Sequence, residues 1–449
     1  MELADTARLH KNYLRGHLET SLVLPQPRLD RGQPPVRVRI DRLLPEEGLI
    51  DIGNRAYAGL SQVVTPNGGI HASEDPRFHD GIFGRDTFII AHFINATYQG
   101  KTHDGLWDNT RAAVFGFWDF QREDGKVLHE IKSFSWKKMQ KTGGSYYPMG
   151  EYMVNDDSVD ATPLALIVTP EFIQTRKEFV NFLPKAVKAL DWMMRSMDKK
   201  NGWLSYSYNP HGLTHQGWMD SRYAVMLNNG DLPKDPIALV EVQAYAWKAM
   251  RMWSDLLRRD IPDISRNLTT RADDLKQQFN KQFIMHNNKG TYVIYALDGH
   301  GNQIRNVSIN PGLALWANYN GESIIDEQYI PSVATRLRGP DMFDEKSGVR
   351  TFERGQPVHD KESYHNGENV YWPIATAMVA KGILELGYTG FAEELMSANL
   401  IPVTHFGSFI EQFSKNASYS LFRGGGKDGS CHNQSWTMAE TLWIVNYFI

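Results

Sequence analysis

One cysteine in 449 residues, Cys431, leaves no partner for an internal disulfide and too few thiols for a cysteine-built metal site. Such poverty fits a reducing compartment. The opening stretch Met1–His10 is polar and lacks the apolar segment of a signal peptide, so the sequence predicts a cytoplasmic protein. Charge excess is missing too: 48 Lys and Arg stand against 52 Asp and Glu, a net of −4. That balance offers no basic footprint, which argues against nucleic acid or a membrane surface as partner. Familiar catalytic signatures are also absent. None of the 15 histidines falls in His-Glu-x-x-His, no Gly-x-Ser-x-Gly is present, and the glycines at 424–426 are not followed by Lys-Ser/Thr. Zinc hydrolysis, serine esterase chemistry and phosphate-loop binding therefore have no support. No repeat of fixed period appears.

What the chain does have is aromatic rings and glycine: 12 Trp, 19 Tyr, 21 Phe and 37 Gly. Core packing accounts for many of the rings, but Trp in Gly-rich loops is also how a cleft presents planes to the C–H faces of pyranoses. From about residue 84 onward, apolar residues recur at spacings of three and four. The segments that read as helices include Thr87–Tyr98, Asn109–Gln121, Ser158–Ile167, Pro170–Met197, Pro236–Arg259, Leu268–Phe283, Asn369–Leu386, Thr389–Asn399 and Ser435–Phe448. Strand patterns are few, Thr291–Tyr295 and Trp203–Tyr208 being the best. About a dozen helices without βαβ alternation predict an all-α domain over 81–449; a closed double ring of helix pairs carrying short strands in its loops fits the pattern, with a helical solenoid as the alternative that periodicity leaves open. Residues 1–80, broken by Pro25, Pro27, Pro34, Pro35 and Pro45, read as an arm packed on it, with a helix near Ala4–Glu19, a short strand at Arg37–Asp41 and otherwise extended or turn-rich chain.

Several loops join an acidic residue to an aromatic one. In Thr214–Arg222, Asp220 sits two residues from Trp218, and burial against an indole is one way to raise a carboxyl pKa into the range of a catalytic acid. The plainer alternative is a loop Asp capping the next helix with Ser221. In Gly81–Thr87, Arg85 and Asp86 are either an ordinary helix start or a clamp for neighbouring sugar hydroxyls. The four acids of Glu151–Pro163 lack the glycine of a calcium loop, which favours capping by Asp156–Ser158 with Asp160 turned inward. Glu241 and Gln243 on an apolar helix suggest core pairing. Asn366 and Trp372 could contact a ligand, and Glu411 could be either a base or a satisfied surface acid.

In this order, Gly84–Thr87, Val159–Thr162, Gln216–Ser221, Glu241–Gln243, Trp372–Pro373, Glu411–Phe413 and Gln434–Trp436 resemble the catalytic barrels of glycoside hydrolase family 63 and the related debranching-type α-glucosidases. The resemblance spans residues 80–449. It implies an (α/α)6 barrel and an inverting mechanism without metal or other cofactor, with Asp220 as general acid and Glu411 as general base. The sugar-binding residues it implies are Phe83, Arg85, Asp86, Gln216, Trp218, Asn366, Trp372 and Trp436. Large members carry an N-terminal β-sandwich that 80 residues cannot provide. The chain is thus more similar to the mannosylglycerate and glucosylglycerate hydrolases, which release a hexose from D-glycerate. An anionic aglycone needs a cation, for which Arg222, Arg354 and Arg423 are candidates, Arg423 foremost, with Tyr364 as neutral partner. A small α-glucosidase on neutral saccharides, a sugar epimerase and a non-catalytic sugar-binding barrel remain alternatives, and a homo-oligomer is left open.

Overall fold

Leu49, Ile52, Ala56, Leu60 and Val63 are buried at helical spacing and form one face of helix α1, Glu46–Val63. Pro45 precedes it in extended conformation, and Glu46 and Glu47 place negative charge in its first turn, where the helix dipole favours it. The computed structural model describes residues 44–449 apart from 67–68, 77, 79–80, 134, 136–144, 288–289, 357–363, 422 and 425–426, with backbone alone at 287, 423–424 and 427–428. Among the described residues eleven further α-helices follow. They are α2 Gly84–Thr97, α3 Gly105–Phe117, α4 Ala161–Val168, α5 Arg176–Asp198, α6 Val240–Leu257, α7 Pro262–Gln282, α8 Asn310–Trp316, α9 Ile330–Leu337, α10 Pro373–Glu385, α11 Thr389–Phe406 and α12 Ser435–Phe448. None is long and apolar enough to cross a membrane.

Two kinds of helix alternate along the chain. In α4 and α8 every residue is buried, and α2, α6, α10 and α12 come close to that, as expected of helices enclosed on all sides. By contrast α7 buries only a stripe, Ile264, Leu268, Ala272, Leu275 and Phe279, and α5 shows the same pattern behind a capping box of Thr175 and Glu178. The contacts follow this division. The even helices touch in cyclic order, α2 to α4, α6, α8, α10, α12 and back to α2, and each odd helix packs chiefly against one of them, α1 covering α12 and α11 covering α10 with a lesser contact to α12. A one-stripe helix can satisfy itself only on the outside of such a ring.

Short antiparallel strands pin the chain where it enters the inner helices. Strand β1, Gly81–Phe83, pairs with β2, Glu130–Ser133, and runs directly into α2; β3, Tyr147–Met149, and β4, Tyr152–Asn155, complete that sheet. Ala238–Leu239, β5, leads into α6. Val370–Tyr371, β6, leads into α10 and pairs with Phe413–Lys415, β7.

The structure differs from the sequence reading in three places and agrees with it at one strand. Residues 46–63 form α1 instead of extended chain. The Pro170–Met197 segment breaks into a 3-10 turn, Thr169–Phe172, and α5, because Thr175 caps a new helix. Trp203–Tyr208 makes only a single bridge, Tyr206 to Ile237. At Thr291–Tyr295 a strand is present as Gly290–Val293. The expected helix at Ala4–Glu19 and strand at Arg37–Asp41 lie outside the described residues.

Inner helices approach closely at glycine. A Cβ on Gly382 of α10 would stand 2.4 Å from the Trp316 nitrogen and 2.5 Å from its Cα, both rigid backbone. Gly382→Ala is expected to lower stability by about 1–3 kcal/mol, read as a lower urea midpoint at unchanged m. Gly105→Ala, where a Cβ meets nothing within 4 Å, should shift it little.

Candidate active site

The even helices all begin at one end of the ring, and polar side chains from their first turns gather there. Arg85 and Asp86 stand on α2, Asp160 precedes α4, Glu241 lies on α6, Asn310 on α8, and Gln434 precedes α12. A cavity of about 300 Å³ opens at this end. Its wall includes the carboxyls of Asp86, Asp220 and Glu411, the guanidinium of Arg85, and rings from Phe78, Phe83, Trp218, Tyr364, Trp372 and Trp436.

Arg85 is the electrostatic hub. Its Nε and Nη2 donate to the Asp160 carboxylate at 2.6 and 3.3 Å, Nη1 donates to Asp220 Oδ2 at 3.2 Å, and Nη2 also reaches the Gly217 carbonyl at 2.7 Å. The side chains of Arg85 and Asp160 are 4 % and 1 % exposed, so water screens this pair little; that of Asp220 is 30 % exposed and faces the cavity. Ser158 Oγ donates to Asp160 and accepts the Ala161 N–H at 3.0 Å, so of the capping expected from Asp156–Ser158 only Ser158 takes part, Asp156 pairing with Arg122 and Asp157 with Asn209, while Asp160 is turned inward as anticipated.

Burial pushes all three cavity carboxyls up. Asp86 is raised to about 7 by desolvation and by the charges of Glu411 and Asp220, against the pull of Arg85. Asp220 is raised by desolvation in spite of its Arg85 bond. Glu411 is raised by desolvation, opposed by a hydrogen bond from Tyr364 and by the Cys431 N–H, which donates to Oε2 at 3.1 Å. His129 and His365 also line the cavity, and burial holds both well below the usual imidazole range, hence neutral near pH 7.

The rings form a braced cage. Trp218 meets Trp372 edge to face at 5.7 Å, Trp372 meets Trp436 at 5.8 Å, and His365 stacks on Trp372 at 4.7 Å. The indole N–H groups of all three tryptophans are buried without a hydrogen-bond partner among the described residues.

Of the residues singled out from sequence, Phe83, Arg85, Asp86, Trp218, Asp220, Tyr364, Trp372, Glu411 and Trp436 come together here. Two stand behind the wall: Gln216 gives its amide to the Ser207 carbonyl, and Asn366 gives its amide to the Tyr223 carbonyl at 2.9 Å. Arg222 and Arg354 are exposed and do not line the cavity, and the Arg423 side chain lies outside the described residues. Asp220 caps no helix; Ser221 instead bonds His365 at 2.9 Å. Gln243 is paired with Leu204 and Leu239 as expected, whereas among the described residues neither oxygen of Glu241 has a well-formed hydrogen bond, the Asn310 amide being the group that approaches it. His129, His365 and Gln434 were not anticipated.

Acids from separate loops, converging in an aromatic pocket at one end of a helical ring, define a glycoside hydrolase. The chain belongs to the amylo-alpha-1,6-glucosidase family, whose model matches residues 158–443, a span that includes Asp220 and Glu411. No curated protein matches it in sequence. Among solved structures it is similar to the family 63 mannosylglycerate hydrolase of Thermus thermophilus in complex with glucose, at 15% identity and TM-score 0.58 over 87% of this chain and 99% of that one. It is also similar to a metal-independent α-mannosidase of Streptococcus pneumoniae in a non-productive complex with α-1,6-mannobiose, at 14% identity and TM-score 0.59 over 98% and 97%. A wild-type glycosidase matches at 12% identity and TM-score 0.58 over 88% and 95%. At such identities the likeness is one of fold, and it agrees with the resemblance to family 63 and debranching-type enzymes.

Removing the hub should be strongly destabilising. Arg85→Met leaves Asp160 buried without its cation, and a loss of about 3–5 kcal/mol is expected from urea unfolding at pH 7.

Proposed function

We propose that the chain is an inverting α-glycoside hydrolase built as an (α/α)6 barrel in which Glu46–Val63, expected to belong to an arm, supplies the outer helix over α12, with Asp220 as general acid and Glu411 as general base. The observation that carries this reading is the pairing of two carboxyls, both raised by burial, in one small cavity from two distant loops. Protonated Asp220 donates its proton to the glycosidic oxygen as the bond to the anomeric carbon breaks. Glu411 takes a proton from the water that attacks the opposite face, an arrangement that needs the carboxyls roughly 6.5–9.5 Å apart. Tyr364 and the Cys431 N–H hold Glu411 in its ionised form and fix its orientation. Asp86 is the acceptor for sugar hydroxyls. Arg85, with its donors directed at Asp160, Asp220 and Gly217, orients the acid and leaves the clamp to Asp86. A cavity of about 300 Å³ is at the small end for a ligand site and suits release of one terminal hexose.

The substrate reading is mannosylglycerate or glucosylglycerate, with Arg423 meeting the glycerate carboxylate. One observation favours a second reading, a neutral di- or oligosaccharide: among the described residues the cavity wall carries one cation, Arg85, and carboxylates already surround it. Parallel hydrolysis of glucosylglycerate, mannosylglycerate, kojibiose and maltose, with the released anomer followed by NMR, separates the two. Inversion gives the β-anomer first. Asp220→Asn and Glu411→Gln should each lose at least about 10²-fold in kcat, and Asp220→Asn should recover on an α-glycosyl fluoride, whose leaving group needs no proton. Release of the α-anomer would overturn the acid and base assignment. Arg423→Ala should lower kcat/KM on the glycerate substrates only; an unchanged value removes the glycerate reading.

The pH profile follows from the same groups. Activity is lost on the acid side as Glu411 takes up a proton and on the alkaline side as Asp220 loses one. Because burial raises both, each limb is expected above the ordinary carboxylate range, near 4.

A further inference from the structure

Asp220 sits on chain that regular structure does not hold. Helix α5 ends at Asp198 and β5 begins at Ala238, and the residues between them form neither helix nor strand. A carboxyl that must meet a glycosidic oxygen to within a fraction of an ångström needs other anchors. Before the acid, the anchors belong to the starts of α2 and α4. The Val159 N–H donates to the Gln216 carbonyl at 3.0 Å, and Arg85 donates to the Gly217 carbonyl at 2.7 Å and to the Asp220 carboxyl at 3.2 Å.

After the acid, a distant part of the chain takes over. His365 Nδ1 shares a hydrogen bond with Ser221 Oγ at 2.9 Å, and the Asn366 amide donates to the Tyr223 carbonyl at 2.9 Å. Between them His215 Nε2 donates to the Arg222 carbonyl at 3.2 Å. His365 is braced for this contact. It is buried, its ring lies flat on Trp372 at 4.7 Å with 10° between the planes, and Trp218, two residues before the acid, meets it edge to face at 5.8 Å. Its neighbour Tyr364 bonds Glu411 and packs edge to face on Trp372 at 5.0 Å. The same loop runs into β6, whose Tyr371 pairs with Phe413 of β7, two residues after Glu411, so loop and base are joined through backbone as well.

Three consecutive residues thus touch both halves of the site, Tyr364 at Glu411 and His365 with Asn366 just past Asp220. We infer that Tyr364–Asn366 is a strap that sets the gap between the two carboxyls, with His365 and Asn366 as positioning residues for the acid. This rests on the assignment of Asp220 and Glu411 proposed above.

Loosening the strap should show only where a proton must be delivered. Ser221→Ala removes the hydroxyl from a half-buried position that is not part of the cavity wall. The probes are the O-glycoside that wild type cleaves fastest among glucosylglycerate, mannosylglycerate, kojibiose and maltose, and the α-fluoride of the same hexose. On the O-glycoside kcat should fall about 10- to 100-fold, the scale of a misplaced catalytic group, with KM within about threefold. On the fluoride, which departs without a proton, kcat should stay within about threefold. Ser221→Thr keeps a hydroxyl and should recover most of the loss. His365→Phe keeps a ring on Trp372 and should cost as much as Ser221→Ala, with the double variant no worse than either, because both delete one bond. Asn366→Ala should act in the same direction.

Equal losses on the two probes would mean damage to the site at large and overturn the inference, whatever happens to Tm. Full activity in Ser221→Ala, or additive losses in the double variant, would overturn it too. A raised KM on both probes in Asn366→Ala would make that amide a sugar ligand and remove it from the strap. Asp220→Asn separates the two levels of the argument. If it is inactive on the O-glycoside and active on the fluoride while Ser221→Ala loses nothing, only the strap fails; if it still cleaves the O-glycoside, the acid assignment fails and the strap with it.

Discussion

A guanidinium buried in the middle of a helical ring must be matched on every face, and most of the site's layout follows from how Arg85 is matched. Its fork is taken on one side by Asp160, on another by the Gly217 carbonyl, and only the third contact reaches a group that faces the cavity. Arg85 stands at the start of α2, and these partners come from two other parts of the chain, the start of α4 and the loop before β5. Satisfying one cation therefore fixes the relative placement of three elements. A lysine could not do this, because its single ammonium lacks the planar fork that bridges two carboxylates and a carbonyl.

The ring itself makes such a site tenable. Each inner helix presents its unpaired N–H groups at the same end, so the partial positive charge of several helix starts accumulates where the carboxyls stand. Asp86, Glu241 and Asp160 occupy or precede first turns, positions at which the dipole favours an acid. The opposite end of α10 shows the complementary rule: Glu385, in its last turn, has Lys381 at 2.7 Å and Lys248 nearby, and those cations hold it down to about 2.

How much of this the sequence reveals depends on what each residue is held by. Period and burial are local, so the inner helices are legible from their apolar runs, and the cavity carboxyls and tryptophans from loops where charge adjoins a ring. Helix α1 is not, because Pro45 and three glycines blur its pattern; two of them, Gly53 and Gly59, are where Val445 and Met438 of α12 press in. Errors at the site were of register. The His365-Asn366 pair contributes His365 to the cavity, where its ring can stack on Trp372, while Asn366 turns to a backbone carbonyl. A choice between adjacent residues is set by the direction the backbone faces, which composition does not encode. His129 arrives through the pairing of β2 and β4, a contact between chain segments more than twenty residues apart, and no local pattern marks it.

The division of labour proposed for two carboxyls with similar surroundings has a physical rationale in their donors. Desolvation raises both Asp220 and Glu411, so burial alone does not choose the acid. Glu411 receives a backbone N–H and the Tyr364 hydroxyl, neutral donors committed to it, which favour its charged form without regard to the rest of the cavity. Asp220 depends on Arg85, and Arg85 is shared with Asp160 and with the carbonyl of Gly217. With Asp86 adding a third carboxyl, the cavity has more potential negative charge than one shared cation can balance. The proton is then best held by the member whose stabilisation is divided, and in the proposed mechanism that member is Asp220, the one placed to give it away.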